Sequence, residues 1–195
     1  MKKLLLAACI STSLLGACAT SMTSPMGTSS AMPMNAPMVG GAAMYPSKDI
    51  IDNAVNSKDH TTLVAAVKAA GLVDTLKSPG PFTVFAPTNA SFAALPPGTV
   101  DTLLMPQNKA MLASVLTYHV VSGRYDAASI EKLIKKGGGT AKLRTVSGGW
   151  LWASMNGPRN IVLKDESGNV ANISTYDVTQ SNGVIHVIDR VLLPR

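Results

Sequence analysis

Cysteine is nearly absent from this chain: 195 residues contain two, Cys9 and Cys18. Cys9 lies in an N-terminal segment that reads as a removable export signal. If Cys18 is acylated, the mature protein has no free thiol and no disulfide. Cysteine nucleophiles and cysteine-rich zinc sites are thereby excluded by count, and stability must come from the core. Aromatic residues are also few, at 5% of the chain, and scattered. With the export signal, this argues against a nucleic-acid partner, whose bases need stacking platforms. Acidic residues number 11 against 17 basic ones, a net charge of +6 that falls to +4 once Lys2 and Lys3 leave with the signal. That excess is mild. The longest apolar run, near the N-terminus, is interrupted from Ser11 to Ser13 and is too short for a bilayer core of roughly 30 Å.

Catalytic signatures are missing as well. No Gly-x-Ser-x-Gly stands anywhere, so the sharp nucleophile turn of a serine hydrolase has no candidate. The glycine run 137–139 follows a helix instead of opening one, which is the wrong context for a phosphate cradle. Asp165 and Glu166 precede a Ser-Gly turn and read as solvated. The expectation is a protein that is not an enzyme and carries no cofactor.

Residues 1–17 carry the parts of a signal peptide: Lys2 and Lys3, the apolar "LLLAACISTSLL", then small residues. The ending Leu15-Gly16-Ala17-Cys18 resembles the bacterial lipobox, which implies lipidation of Cys18 and a membrane partner reached through the N-terminus. Three acyl chains exceed the roughly two signals that stable anchoring needs. Ala19 is not the aspartate associated with inner-membrane retention, which favours the outer membrane, facing the periplasm or the cell surface.

Residues 18–46 have no charged side chain and are dominated by Ser, Thr, Pro, Gly, Ala and Met, so a disordered tether is expected. Met22, Met26, Met32, Met34, Met38 and Met44 fall in it. Thioethers suit Cu(I), and a copper-handling lipoprotein is the alternative these residues raise.

Residues 47–195 have the texture of one folded domain. "KDIIDNAVNSKD" predicts a short helix with Ile50, Ile51 and Val55 on one side, and His60 exposed at the start of the next. In that next helix Leu63, Ala66, Val67 and Ala70 keep helical spacing up to a break at Gly71. "FTVFAP" predicts a strand, with Thr88 as the N-cap of the segment that follows. "NKAMLASVLTYHVV" passes from helix to strand near His119, and "DAASIEKLIKK" is amphipathic. From Ala141 onward the sequence alternates in period two, punctuated by Gly-Gly, Asn-Gly and Ser-Gly-Asn hairpin signals. The fold class is α+β, with helices from the first half packed on a mostly antiparallel sheet drawn largely from the second.

Three segments, "PFTVFAPTNASFAALP", "LTYHVVSGRY" and "NGVIHVIDRVLLP", occur in this order at domain-length spacing. Together they resemble the fasciclin domain family, over about residues 49–193. The resemblance implies a β-wedge with packed helices and a role in adhesion. Asn89 departs from the Asp that the family often has in "FAPTD"; both residues cap helices, but the negative charge is lost.

By the same resemblance, Tyr118 and His119 belong to a motif linked to adhesion, whereas their apolar neighbours Leu116, Val120 and Val121 predict a buried, structural pair. Trp150 and Trp152, at i and i+2 in "GGWLWAS", share one face of a strand. They either cover the core face, the expected arrangement, or form an exposed contact patch or glycan platform. His186, in "VIHVI", reads as a strand residue. Lys132, Lys135, Lys136, Lys142 and Arg144 are close in sequence, and a patch built of them would suit acidic polysaccharide or lipid head groups. The chain as a whole therefore reads as a lipid-anchored, extracytoplasmic binding module, a monomer or weak oligomer. Its partner is a protein or polysaccharide that no residue names. A small-molecule-binding or enzymatic variant of the fold is a further alternative.

Overall fold

The computed structural model describes residues 36–195. It starts with a small hairpin, β1 (Met38–Val39) and β2 (Ala42–Ala43), inside the stretch expected to be a disordered tether. Val39 and Met44 are buried in the core, and the Met44 N–H donates to the Pro37 carbonyl at 2.9 Å. The expected domain start at Ser47 is thus too late. The two side chains lie close to Ala54, His60, Val178 and Ile185, with which they line a small apolar space, a distant match that local composition does not carry.

Three helices follow: α1 (Ile50–Ala54), α2 (Thr61–Ala70) and α3 (Val73–Lys77). Asp49 caps α1 by accepting the Asp52 N–H at 2.7 Å. Ile50 and Ile51 are buried, but Val55 lies past the end of α1 and is exposed, contrary to the expected shared face. Helix α2 buries Leu63, Ala66, Val67 and Ala70 as the spacing predicts. It ends at Gly71, whose φ of +72° suits a residue without Cβ while its N–H bonds the Lys68 carbonyl.

Strand β3 (Phe82–Pro87) leads into α4 (Asn89–Ala93). Thr88 is the N-cap, as predicted. Its hydroxyl accepts the Ser91 N–H, and the Ser91 hydroxyl accepts the Thr88 N–H in return. Asn89 adds a cap for a different helix. Its Oδ1 accepts the Thr62 N–H at 3.0 Å, and its Nδ2 donates to the Lys58 carbonyl at 2.8 Å.

The remaining elements are α5 (Thr99–Leu104), α6 (Lys109–Tyr118), β4 (Val120–Ser122), α7 (Ala127–Lys136), β5 (Thr140–Arg144), β6 (Trp150–Met155), β7 (Ile161–Lys164), β8 (Val170–Gln180) and β9 (Gly183–Ile188). The seven-stranded sheet runs β4-β3-β9-β8-β7-β6-β5. β3 and β9 are parallel, Phe82 opposite Gly183, and every other pair is antiparallel. A bridge between Val121 and Thr145 brings the two edges together, so the sheet curls almost closed.

This curl creates two cores. Helices α1 to α6 pack on β3 and β9 over Val84, Ile185 and Val187. Inside the curl, α7 contributes Ile130 and Ile134 to a second cluster with Phe85, Leu151, Leu163 and Ile188. The α+β arrangement expected from the sequence is the one observed. Its consequence for function is that α7 packs on β5 and β6 from the inner side, and among the described residues no helix packs on the outer face of these strands.

Candidate functional site

Tyr118 and His119 end α6 and are buried, at 0% and 3% exposure. The Tyr118 hydroxyl donates to the Trp150 carbonyl at 2.7 Å and accepts the Glu166 N–H at 3.1 Å. Burial pushes its pKa up to about 12. His119 Nδ1–H donates to the Val115 carbonyl at 2.8 Å, and Nε2 accepts the Leu192 N–H at 2.9 Å. Both ring nitrogens are used, which fixes the neutral tautomer, and burial pushes the pKa down to about 4. These two side chains bolt α6 to β6 and to the C-terminal segment, and both are buried.

The other histidines are also inside. His186 in β9 donates from Nε2 to the Tyr125 carbonyl at 2.8 Å and stacks near Phe85, with ring centroids 5.7 Å apart. His60, expected to be exposed, is 3% exposed. The short turn 58–60 folds it under α2, with Nδ1 against the Ser57 hydroxyl at 2.9 Å. Burial lowers the pKa of both.

Asp165 corrects another expectation. It is 1% exposed, accepting the Asn169 N–H at 2.8 Å, the Asn169 side-chain amide at 2.9 Å and the Leu193 N–H at 3.0 Å. It shapes the β7–β8 turn and holds the C-terminal segment. Glu166, half-buried, accepts the Trp150 N–H at 3.0 Å.

Trp150 and Trp152 are the candidates the structure brings to the surface. In β6 the buried residues are Leu151 and Ala153, so the tryptophans take the opposite, outer face and are half-buried there. The expectation that they cover the core fails because "WLWA" is apolar on both faces; strand alternation shows only that the two share one. In β5, Ala141 and Leu143 are buried while Lys142 and Arg144 point outward. The register sets Arg144 opposite Trp150 and Lys142 opposite Trp152, with Lys164 of β7 on the other side of Trp152. Lys142 Nζ lies 4.3 Å from the Trp150 ring centroid and 5.7 Å from that of Trp152, and the Arg144 guanidinium lies 6.0 Å from Trp150. Each such contact contributes about 0.5–1 kcal/mol at an exposed site.

The basic run is thereby divided. Lys132, Lys135 and Lys136 belong to α7, whose Ile130 and Ile134 pack inside the curl. Lys142 and Arg144 face outward from the far side of the sheet, where Lys164 joins them. Sequence reading missed Lys164 because only the β6–β7 register puts it beside Trp152.

Cys18, Met22, Met26, Met32 and Met34 lie outside the described residues. Met38 is exposed and Met44 is buried, so these two do not share one ligand site. Among the described residues no helix is long and apolar enough to cross a membrane. Between α1, α2 and the sheet is an apolar cavity of about 40 Å³, lined by Ile50, Leu63, Val67, Val84 and His119 among others. That is well below the roughly 150 Å³ of an apolar cavity that takes up benzene.

Comparison with known proteins agrees with this fold. The sequence profile of the fasciclin domain matches residues 58–194. Protein sll1483 of Synechocystis is 43% identical over 161 residues, covering 80% of this chain and 79% of that one. The cell surface glycolipoprotein MPB83 of Mycobacterium bovis is 31% identical over 196 residues, covering 90% and 81%. Among solved structures, the FAS1 domain pair of the insect cell adhesion molecule fasciclin I superposes with a TM-score of 0.68 at 20% identity. That match covers 76% of this chain and 52% of the other. Profile, relatives and fold converge on one assignment: this chain belongs to the fasciclin domain family.

Proposed function

We propose that this protein is a lipid-anchored, extracytoplasmic adhesion module that acts by contact, without catalysis, from the outer membrane. The observation that carries this reading is the open outer face of β5–β7. Two half-buried tryptophans and three cations stand there, and among the described residues no helix lies over them. Aromatic residues with a cationic surround are the composition of contact surfaces, where large side chains give area and charge gives orientation. The N-terminal Leu15-Gly16-Ala17-Cys18 supplies the anchor. The relatives support the same direction: one is named a cell surface glycolipoprotein and the structural neighbour is a cell adhesion molecule.

The test compares wild-type cells with a deletion strain and a Cys18→Ala strain, scoring surface adherence and fractionating the membranes. Deletion is expected to lower adherence, and Cys18→Ala is expected to release the protein from the membrane fraction and lower adherence equally. Unchanged adherence in both strains would sink the reading.

A further inference from the structure

We propose that the outer face of β5–β7 binds an acidic polysaccharide, a uronate-bearing glycan. Trp150 and Trp152 would lie against the sugar rings, with Lys142, Arg144 and Lys164 on the carboxylates. The proposal rests on the adhesion reading and names its partner class.

Charge complementarity comes first. Among the described residues the ion pairs are those of Lys77 with Asp49 and Asp52, so the three cations of this face have no carboxylate within 4.0 Å. The two acids nearby do not neutralise them in kind: Asp165 is buried under three donors, and Glu166 is turned to the Trp150 N–H. An anionic ligand supplies what the face lacks.

Shape and polarity then favour a sugar. Alternate residues of a strand stand roughly 6.5–7 Å apart, so the tryptophans form a short row suited to a repeating polymer. A pyranose presents C–H faces to aromatic rings and hydroxyls at its edge. Beside Trp152 an open trough of about 490 Å³ is lined by Thr140, Ser154, Lys164 and Ser167, whose hydroxyls and ammonium match such an edge, and by Asp165 and Glu166, whose oxygens would accept from sugar hydroxyls. A lipid surface needs no row of hydroxyls, and a bilayer would meet an apolar face better than this one.

Position gives an independent argument. The β1–β2 hairpin, through which the chain enters the domain, packs beside Val178 of β8. The tryptophan row continues through Lys164 to Val170 of the same strand. Eight residues of strand span at most roughly 25 Å, less here because β8 is irregular between Ile173 and Val178. The face is therefore set apart from the point where the chain enters the domain, so a partner there need not meet the entering segment.

The experiment uses the full chain with Cys18→Ala, passed over immobilised polygalacturonate, neutral dextran and polyglutamate. Co-sedimentation with phosphatidylglycerol/phosphatidylcholine vesicles runs in parallel. Polygalacturonate is expected to retain the protein and release it as salt rises, while dextran does not retain it. Lys142→Glu, Lys164→Glu and Trp152→Ala should each weaken retention by about tenfold or more, with thermal midpoints near wild type because the side chains are on an outer face. Lys135→Glu, the same charge change on α7, should leave retention unchanged. The proposal is overturned if the α7 variant weakens retention equally, if polyglutamate is held as tightly as polygalacturonate, or if vesicles alone bind. If deletion lowers cell adherence but Lys142→Glu does not, this face is the wrong one and the adhesion reading survives. If deletion changes nothing, that reading falls by itself.

Discussion

The Leu192 N–H donates to His119 Nε2 at 2.9 Å, an unshared bond in which an imidazole accepts from the backbone of the C-terminal segment. Protonating Nε2 would destroy that acceptor, and burial holds the His119 pKa near 4 against an ordinary value of 6.5. The unfolded chain therefore binds the extra proton first. Stability is full above about pH 6.5, falls as pH drops toward 4, and levels off below it. The shift corresponds to about 3 kcal/mol from this one group. His60 and His186 are lowered by burial too and act in the same direction. Urea unfolding at pH 7 and pH 4 should show this loss, and His119→Gln should be less stable at pH 7 with a flatter pH dependence. An unchanged slope in that variant would assign the effect elsewhere.

Tyr118→Phe should cost about 1–3 kcal/mol. It removes a hydroxyl that pairs the Trp150 carbonyl and the Glu166 N–H, leaving both without that partner in a half-buried position. The denaturant midpoint measures it, and a neutral result would mean that water replaces the hydroxyl.

The hairpin at the start of the domain gives a contrast between two methionines. Met44→Ala empties a buried site and should cost about 2–4 kcal/mol, whereas exposed Met38→Ala should stay within about 0.5 kcal/mol. Equal, small effects would return residues up to 46 to the tether.

Asn89→Ala should lose about 1–2 kcal/mol through the uncapped Thr62 N–H. Asn89→Asp keeps that acceptor and adds favourable charge at a helix start, but cannot donate to the Lys58 carbonyl. It should fall within about 1 kcal/mol of wild type. Thermal unfolding of both variants decides, and an Asp variant as weak as the Ala variant would make the Lys58 bond the dominant one.

Much of the fold was legible because its cues are local. Gly71 ends a helix by its own backbone freedom, Thr88 caps by reaching three residues on, and the glycine-rich turns mark hairpins in place. What escaped depends on distant partners. His60 is polar in sequence yet buried, lining a small cavity with Met44 and Ala86. Asp165 sits by a turn yet serves Leu193 across the domain. The tryptophans share one strand face, as their spacing implied, but Leu151 and Ala153 take the inner core and set the pair on the outer side. Lys164 needed the strand register, which no single segment encodes.

The parallel pairing of β3 with β9 has a kinetic consequence. Phe82 waits for Gly183, and Phe85 for His186, so the central ladder closes a loop of about a hundred residues. Such a high contact order makes folding slow. No stable half can precede completion of the chain, since both clusters take strands or side chains from the last segment, Val187 and Val191 in one and Ile188 and Leu192 in the other. A nascent polypeptide of this kind cannot complete its central ladder until its final residues are made.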